Sequence, residues 1–359
     1  MLDIVATRMR AQHLTGAPFG GVVDAVRHFG AVQSQDYPAA KWALGLRVKG
    51  AVEGDVDRAY DDGAILRTHV LRPTWHFVAP EDIRWMLALT GPKIHQGMTL
   101  RYRHLELDPP TITRAHRLFE TWLGGGRHMT RAELGRELGA AGIAPDGQRL
   151  PHLLASAELV GLVTSGRRQG IQHTWALLDE RVPKARVLER EAAIAELTLR
   201  YFAGHGPAQL RDYVWWSGLT QAEARRGIAA AGDALRRIDI AGVSYWLDSR
   251  LPSPRNAAAK AHLLPNFDEY TVGYADRAAI LHPTRPFKPE LFSFSSILSN
   301  VVVIAGQVSG AWRRQTGRNG LRIEIRQLAR LTAAERSLVE RAGARLSAFL
   351  GRPVDLAWL

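Results

Sequence analysis

The sequence predicts an α+β chain: three tandem units of helices and a two-stranded ribbon, then a β-rich C-terminal domain with a terminal helix. Three observations carry that expectation. The order helix, helix, helix, ribbon recurs between Gly20 and Leu247. Threonines at 130, 220 and 332 are each followed three residues later by glutamate, a capping box that satisfies free amides at a helix start. Leu321, Ile323 and Ile325 alternate with Arg322, Glu324 and Arg326, the period of two of a half-buried strand.

Residues 1–110 make the first unit. Val22, Val23, Val26 and Phe29 draw one apolar helix face. A second helix is predicted from Tyr37 to Leu46 and a third from near Asp55. A ribbon rich in Thr, Val, Trp and Phe follows from Ile65 to Val78. In the second unit, residues 111–186, glycines 124 to 126 end the first helix. The box at Thr130 opens the next, with Leu134 and Leu138 toward the core, and a helix spans 148–159. Leu162-Val163 and Thr174 to Leu177 then pair around the polar tip Ser165 to Gly170. The third unit, residues 187–250, has a long helix to Phe202, one from Leu210 to Trp216, and one from the box at Thr220. Its ribbon pairs Leu235 to Ile240 with Val243 to Leu247 across Ala241-Gly242. Leu251 to Arg255 reads as a linker into residues 251–359. There the 321–326 strand joins Gln307 to Trp312 through the turn signal Asn319-Gly320. Three helices and a ribbon are the winged-helix plan, in which one helix enters the major groove and the wing touches the backbone or minor groove.

Composition limits what such a chain does. At 359 residues it exceeds one ordinary domain, and with 46% apolar residues it has material for a packed core. No apolar run approaches the roughly 18 residues that span a bilayer, and Met1 to Leu14 lacks the pattern of a secretory signal. A cytoplasmic, nucleoid-associated location is the default expectation. The absence of cysteine excludes disulfides, thiolate zinc sites, iron–sulfur ligation and cysteine nucleophiles. Lys and Arg exceed Asp and Glu by 47 − 35 = 12. That surplus favours a polyanion, because each phosphate neutralised releases condensed counterions. A general preference for Arg would also raise the total, but it would not cluster cations at ribbon tips. Here they cluster at Arg167-Arg168 and at Arg313-Arg314 with Arg318.

The familiar catalytic signatures are missing: no phosphate loop, no His-Glu-x-x-His, no nucleophile elbow. His69 and His76 share one ribbon, but an isolated pair predicts no metal site. Two segments draw notice instead. In Ala31 to Pro38, at a junction between helices, Gln33 and Gln35 would project to one side of an extended segment. Taken alone, those glutamines read as partners for free helix ends, and Asp36 as the N-cap of the next helix with Pro38 in its first turn. The ribbon from Arg67 to Val78 combines Arg, His and an aromatic, which suits phosphates and stacked bases. The plainer reading is a Trp and a Phe packing a core.

The strings VQSQDYPAAKWALGLR, ILRTHVLRPTWHFVAPEDIRWML, LLPNFDEYTVGYADR and VVVIAGQVSGAWRR lie in this order between residues 32 and 314. Together they resemble the AlkZ/YcaQ family of winged-helix DNA glycosylases. The resemblance implies tandem winged helices and a C-terminal β-rich domain forming a basic channel for DNA. It also implies excision of N7- and N3-alkylated purines, including some from interstrand crosslinks. The family's motif, Gln-x-Gln in one branch and Gln-x-Asp in the other, falls on Gln33 and Gln35. Its middle position, usually aliphatic, is Ser34 here.

A carboxamide has no useful pKa, so neither glutamine serves as acid or base. An N7-alkylated purine is already cationic and leaves without a proton. What remains is to face an oxocarbenium-like sugar and place a water, which paired amide oxygens do without a full negative charge. With no lysine poised as nucleophile, hydrolysis without strand cleavage is expected. Asp36 and His76 are candidate catalytic support. DNA contacts are expected from Arg47, Arg67, His69, Arg72 and Trp75, and at the tips from Arg167, Arg168, Arg313, Arg314 and Arg318. Asn266, Asp268 and Tyr270 are expected to line the channel. No cofactor, metal, membrane or obligate protein partner is expected; a monomer is expected, with duplex DNA carrying alkylated purines as its partner. The rival reading is a non-enzymatic winged-helix regulator, which would normally carry a dimerisation helix, and no heptad repeat is present.

Overall fold

Asp3 accepts from the Ala6 amide at 3.0 Å and starts the helix Ile4–Ala11. The next helix, Val22–Phe29, ends at Gly30, whose φ of 76° turns the chain straight into the strand Ala31–Gln33. A side chain would strain that turn. Asp36 then caps the helix Tyr37–Gly45, as the sequence predicts. The computed structural model describes residues 2–252, 259–317 and 320–359. It divides into two compact units, one of Met1–Asp57 with Ala195–Leu359 and one of Arg58–Ile194.

The first unit resumes at Ala195, within the helix Arg190–His205, and continues into the helices Leu210–Ser217 and Gln221–Ala231. The hairpin of Leu235–Ile240 and Val243–Asp248 follows, in the expected register across Ala241-Gly242. Five strands then make one sheet, in the order Val354–Trp358, Gly320–Gln327, Gln307–Gly317, Val301–Ile304, Ala261–Leu264. Its pairings are antiparallel except that of the C-terminal strand. A parallel pair needs a crossover, and the helix Ala333–Leu350 provides it, burying Val339, Leu346 and Phe349. The turn at Gly306 has φ 83°, and a Cβ there would lie 2.2 Å from a methyl carbon of Val5, so glycine is required.

The second unit holds the hairpin Leu66–His69 and Trp75–Val78, paired Leu66 to Val78 and His69 to Trp75. Two helices, Ile83–Gly97 and Thr99–His104, occupy a stretch for which the sequence suggested no element. The helix Pro109–Leu123 starts on Asp108 and stops before Gly124. The helices Arg131–Ala140 and Arg149–Leu159 come next. A small sheet in the order Met129–Thr130, Thr174–Leu177, Val163–Ser165 covers them. Phe119, Leu123, Leu134, Leu138 and Leu153 are wholly buried together, each burial contributing about 1.5–3 kcal/mol.

The chain is therefore mixed helix and sheet, and all three predicted capping boxes form. Ser253, Pro254 and Arg255 of the predicted linker lie outside the described residues, as do Arg318 and Asn319. Among the described residues no helix is long and apolar enough to cross a membrane.

Candidate active site

Gln33 ends its short strand and Gln35 sits in the bend that follows. The extended segment is thus too short to keep a period of two through both glutamines. Gln33 is 7% exposed, Ser34 is fully buried, and Gln35 is exposed. Ser34 occupies packed space of the kind that suits an aliphatic side chain. The carboxamide oxygen of Gln33 is buried and has no hydrogen-bond partner among the described residues. Leaving a buried acceptor unmet costs about 1–3 kcal/mol, which makes this oxygen a candidate for contact with a substrate.

The backbone of Gln33, through its main-chain N–H, is held by a carboxylate the sequence did not single out. The Gln33 amide donates to Glu269 Oε1 at 2.8 Å. The other oxygen, Oε2, accepts from Trp216 Nε1 at 3.0 Å and faces His205 Nε2 at 3.0 Å. His205 is itself stacked on Tyr201, with ring centroids 4.7 Å apart. Glu269 and His205 are buried to 1% and 0%, so this anchor sits in a low-dielectric core where charge-assisted bonds are strong.

Asp36 is held as firmly. Its Oδ1 accepts from the Ala39 amide at 3.2 Å and its Oδ2 from Asn266 Nδ2 at 3.1 Å. Asn266 in turn donates its backbone amide to Asn300 Oδ1 at 2.8 Å. Beside these groups lies a pocket of about 180 Å³, lined by Asp36, Asn266, Asn300, Trp312 and Arg314 among others. Trp312 is fixed by its Nε1 donating to the Leu264 carbonyl at 2.8 Å. Segments 31–36, 264–269 and 300–314 thus converge inside one unit.

Three of the expected positions are corrected. Arg47 is 1% exposed and presents nothing to DNA. It forms a bidentate pair with Asp268, both bonds 2.8 Å, and its remaining N–H groups go to Gln12 and the Ala43 carbonyl. Asp268 and Tyr270 are buried to 1% and 0%. Asp268 caps the turn Glu269–Val272, and the Tyr270 hydroxyl donates to the Gly306 carbonyl at 2.7 Å. Neither lines a channel. Of the expected channel residues Asn266, Asp268 and Tyr270, Asn266 alone lines the pocket.

In the other unit the ribbon is also largely internal. The Arg67 guanidinium lies 4.2 Å from the Trp75 ring centroid. His69 Nδ1 is 2.6 Å from Glu158, whose other oxygen accepts from Trp175 Nε1 at 2.7 Å. His76 is wholly buried, its Nδ1 2.9 Å from the Thr74 carbonyl. Arg72 and Trp75 are half-buried.

The two tip cations differ. Arg167 stays exposed, in a surface pair with Asp62. Arg168 is committed to Asp61 through Nε and Nη2 at 3.0 and 2.8 Å and through its own amide at 3.0 Å. Partial burial pushes the Asp61 carboxyl up, but the bonds from Arg168 outweigh it and the net shift is below the ordinary 3.8. A lowered folded value means stability present above the ordinary value and lost as pH falls through the folded one. Asp61→Asn should therefore remove part of the acid-side loss, read from urea midpoints at pH 6 and pH 3. An unchanged pH dependence would show that the pair contributes nothing.

On the sheet, Arg313 pairs with Glu324 across the strands at 2.8 Å. Arg314, one residue on and facing the pocket, has no ion-pair partner among the described residues. No group of three His, Asp or Glu side chains that could hold a metal occurs among the described residues.

The model of the family described as DNA glycosylase AlkZ-like matches residues 26–349. A curated relative from Streptomyces sahachiroi, named interstrand DNA cross-link repair glycosylase, is 23% identical over 326 residues, 86% of each chain. The solved structure of the Streptomyces sahachiroi DNA glycosylase AlkZ shares the fold, with a TM-score of 0.80 at 20% identity, over 99% of this chain and 98% of that one.

Proposed function

This chain belongs to the AlkZ-like DNA glycosylases, and from that premise we propose that it hydrolyses the N-glycosidic bond of N7- and N3-alkylated purines in duplex DNA. The observation that carries the reading is the buried, unmet carboxamide oxygen of Gln33, on a residue whose backbone amide is tied to Glu269. It faces the positive charge that grows on the sugar as the cationic base departs, while exposed Gln35 accepts from the attacking water. Preset dipoles of this kind need no reorganisation during reaction. Asp36, held by its cap and by Asn266, is a positioning residue at the rim. The Trp312 pocket takes the lesion. No lysine of the site serves as nucleophile, so the strand stays intact.

The relative's named activity on interstrand crosslinks extends the proposed substrates to crosslinked purines. The three helix-and-ribbon segments act in this reading as winged-helix units on DNA. Family membership favours it over a non-enzymatic regulator. The test offers the purified chain methylated and crosslinked duplexes and measures free base by chromatography and strand integrity on gels without alkali. Release of 7-methylguanine from an uncut strand is the expected outcome. No free base from any substrate, with binding retained, hands the chain to the regulator reading.

Binding should be salt-sensitive with little sequence preference, following the surplus of 12 positive charges. Arg314→Ala and Arg167→Ala should each lower the slope of log affinity against log salt by about 0.9, one phosphate contact each. Slopes equal to wild type would remove both from the interface.

A further inference from the structure

A cavity of about 410 Å³ lies between the strand Ala261–Leu264 and the helix Ala333–Leu350, lined by Lys260, His262, Leu338, Arg341, Ala342 and Arg345. His262 is 1% exposed, and neither of its ring nitrogens has a hydrogen-bond partner among the described residues. Buried polar groups without partners are few in folded proteins and ask for an explanation.

The surroundings supply one. The charged groups that line the cavity are all cations. Arg47, whose charge also acts on His262, is already met by Asp268. Arg341 and Arg345 stand one helical turn apart, on the same face. Arg341 gives one N–H to Ser337 Oγ at 2.9 Å, and Arg345 gives one to the Leu46 carbonyl. A guanidinium has five such donors, so each keeps others for a ligand. Burial first, then Arg345, Arg47 and Lys260, push the His262 imidazole down to about 3. At neutral pH it is uncharged and offers one N–H donor.

We propose that this cavity is a site for a phosphate-class oxyanion, which takes an N–H from His262 and has its charge met by Lys260, Arg341 and Arg345. A tetrahedral oxyanion carries enough acceptor oxygens to answer donors converging from a strand on one side and a helix on the other. The cavity also has room for ester groups on that phosphate. A phosphodiester of the DNA backbone and a free phosphate share this chemistry. The proposal holds whether or not the chain releases bases.

The test follows the His262 ring resonances of the full chain by NMR, assigned by their loss in His262→Leu. Inorganic phosphate is titrated in one arm and a short undamaged duplex in the other. Saturable movement of the His262 signals is expected, with affinity falling about tenfold in Arg341→Ala. Movement with duplex alone assigns a backbone phosphate, and Arg341→Ala then lowers the salt slope by about 0.9. Movement with phosphate alone assigns a small anion. If neither probe moves the signals, His262 is a spacer in the core and the proposal is overturned. Should His262→Leu fail to fold, Arg341→Ala decides, because its side chain is exposed. Phosphate affinity and salt slope both unchanged would then reject the site.

Discussion

Gln33→Ala is expected to slow single-turnover release of 7-methylguanine by about tenfold or more, roughly 1.4 kcal/mol of barrier, while affinity for DNA stays near wild type. The side chain's oxygen makes no bond within the described protein, so its removal leaves no protein donor unmet. The backbone bond to Glu269 survives, because it uses the amide of residue 33. A loss of rate without a loss of fold is therefore a property of the chemistry. Gln35→Ala should also slow release, and Gln35→Asp should retain measurable activity because it converts the motif to the family's other form. Alanine variants as fast as wild type at both positions would reduce the glutamines to packing.

Asp268→Ala is expected to destabilise the chain by about 3–5 kcal/mol, the cost of leaving a buried partner charge uncompensated. Arg47 and Asp268 are each 1% exposed, so solvent does little to screen the orphaned guanidinium. Asp268→Asn keeps an acceptor for the Tyr270 amide and for one Arg47 donor, and should lose less. Denaturant midpoints, compared at equal slope, measure both. A shift below about 1 kcal/mol for Asp268→Ala would mean that the pair is relieved by rearrangement.

Local signals carried much of the fold. Each Thr-x-x-Glu box forms, and Asp36 caps its helix, because those contacts span three residues and depend on little else. The strand Val354–Trp358 escaped notice because it is only partly buried and is set by a parallel partner reached across a helix. The Gln-x-Gln segment was legible as a spacing and a resemblance. Its anchor was not, since Glu269 lies 236 residues away in sequence. In the string DEYT a glutamate looks like an ordinary acid at a helix start. Nothing local to His205 or Trp216 says that they converge on it. Arg47 misled for the opposite reason: an arginine at a helix end reads as surface, and its burial is visible only once Asp268 and Gln12 close around it.

The residues that hold Gln33 and Asp36 are translated some 230 positions after them, as the bonds to Glu269 and Asn266 show. A ribosome therefore releases Gln33 and Asp36 long before it has made these supports. Nascent chains and products of premature termination would carry the motif without the geometry that aims it. The motif can take the geometry described here only after the chain has been made past Glu269.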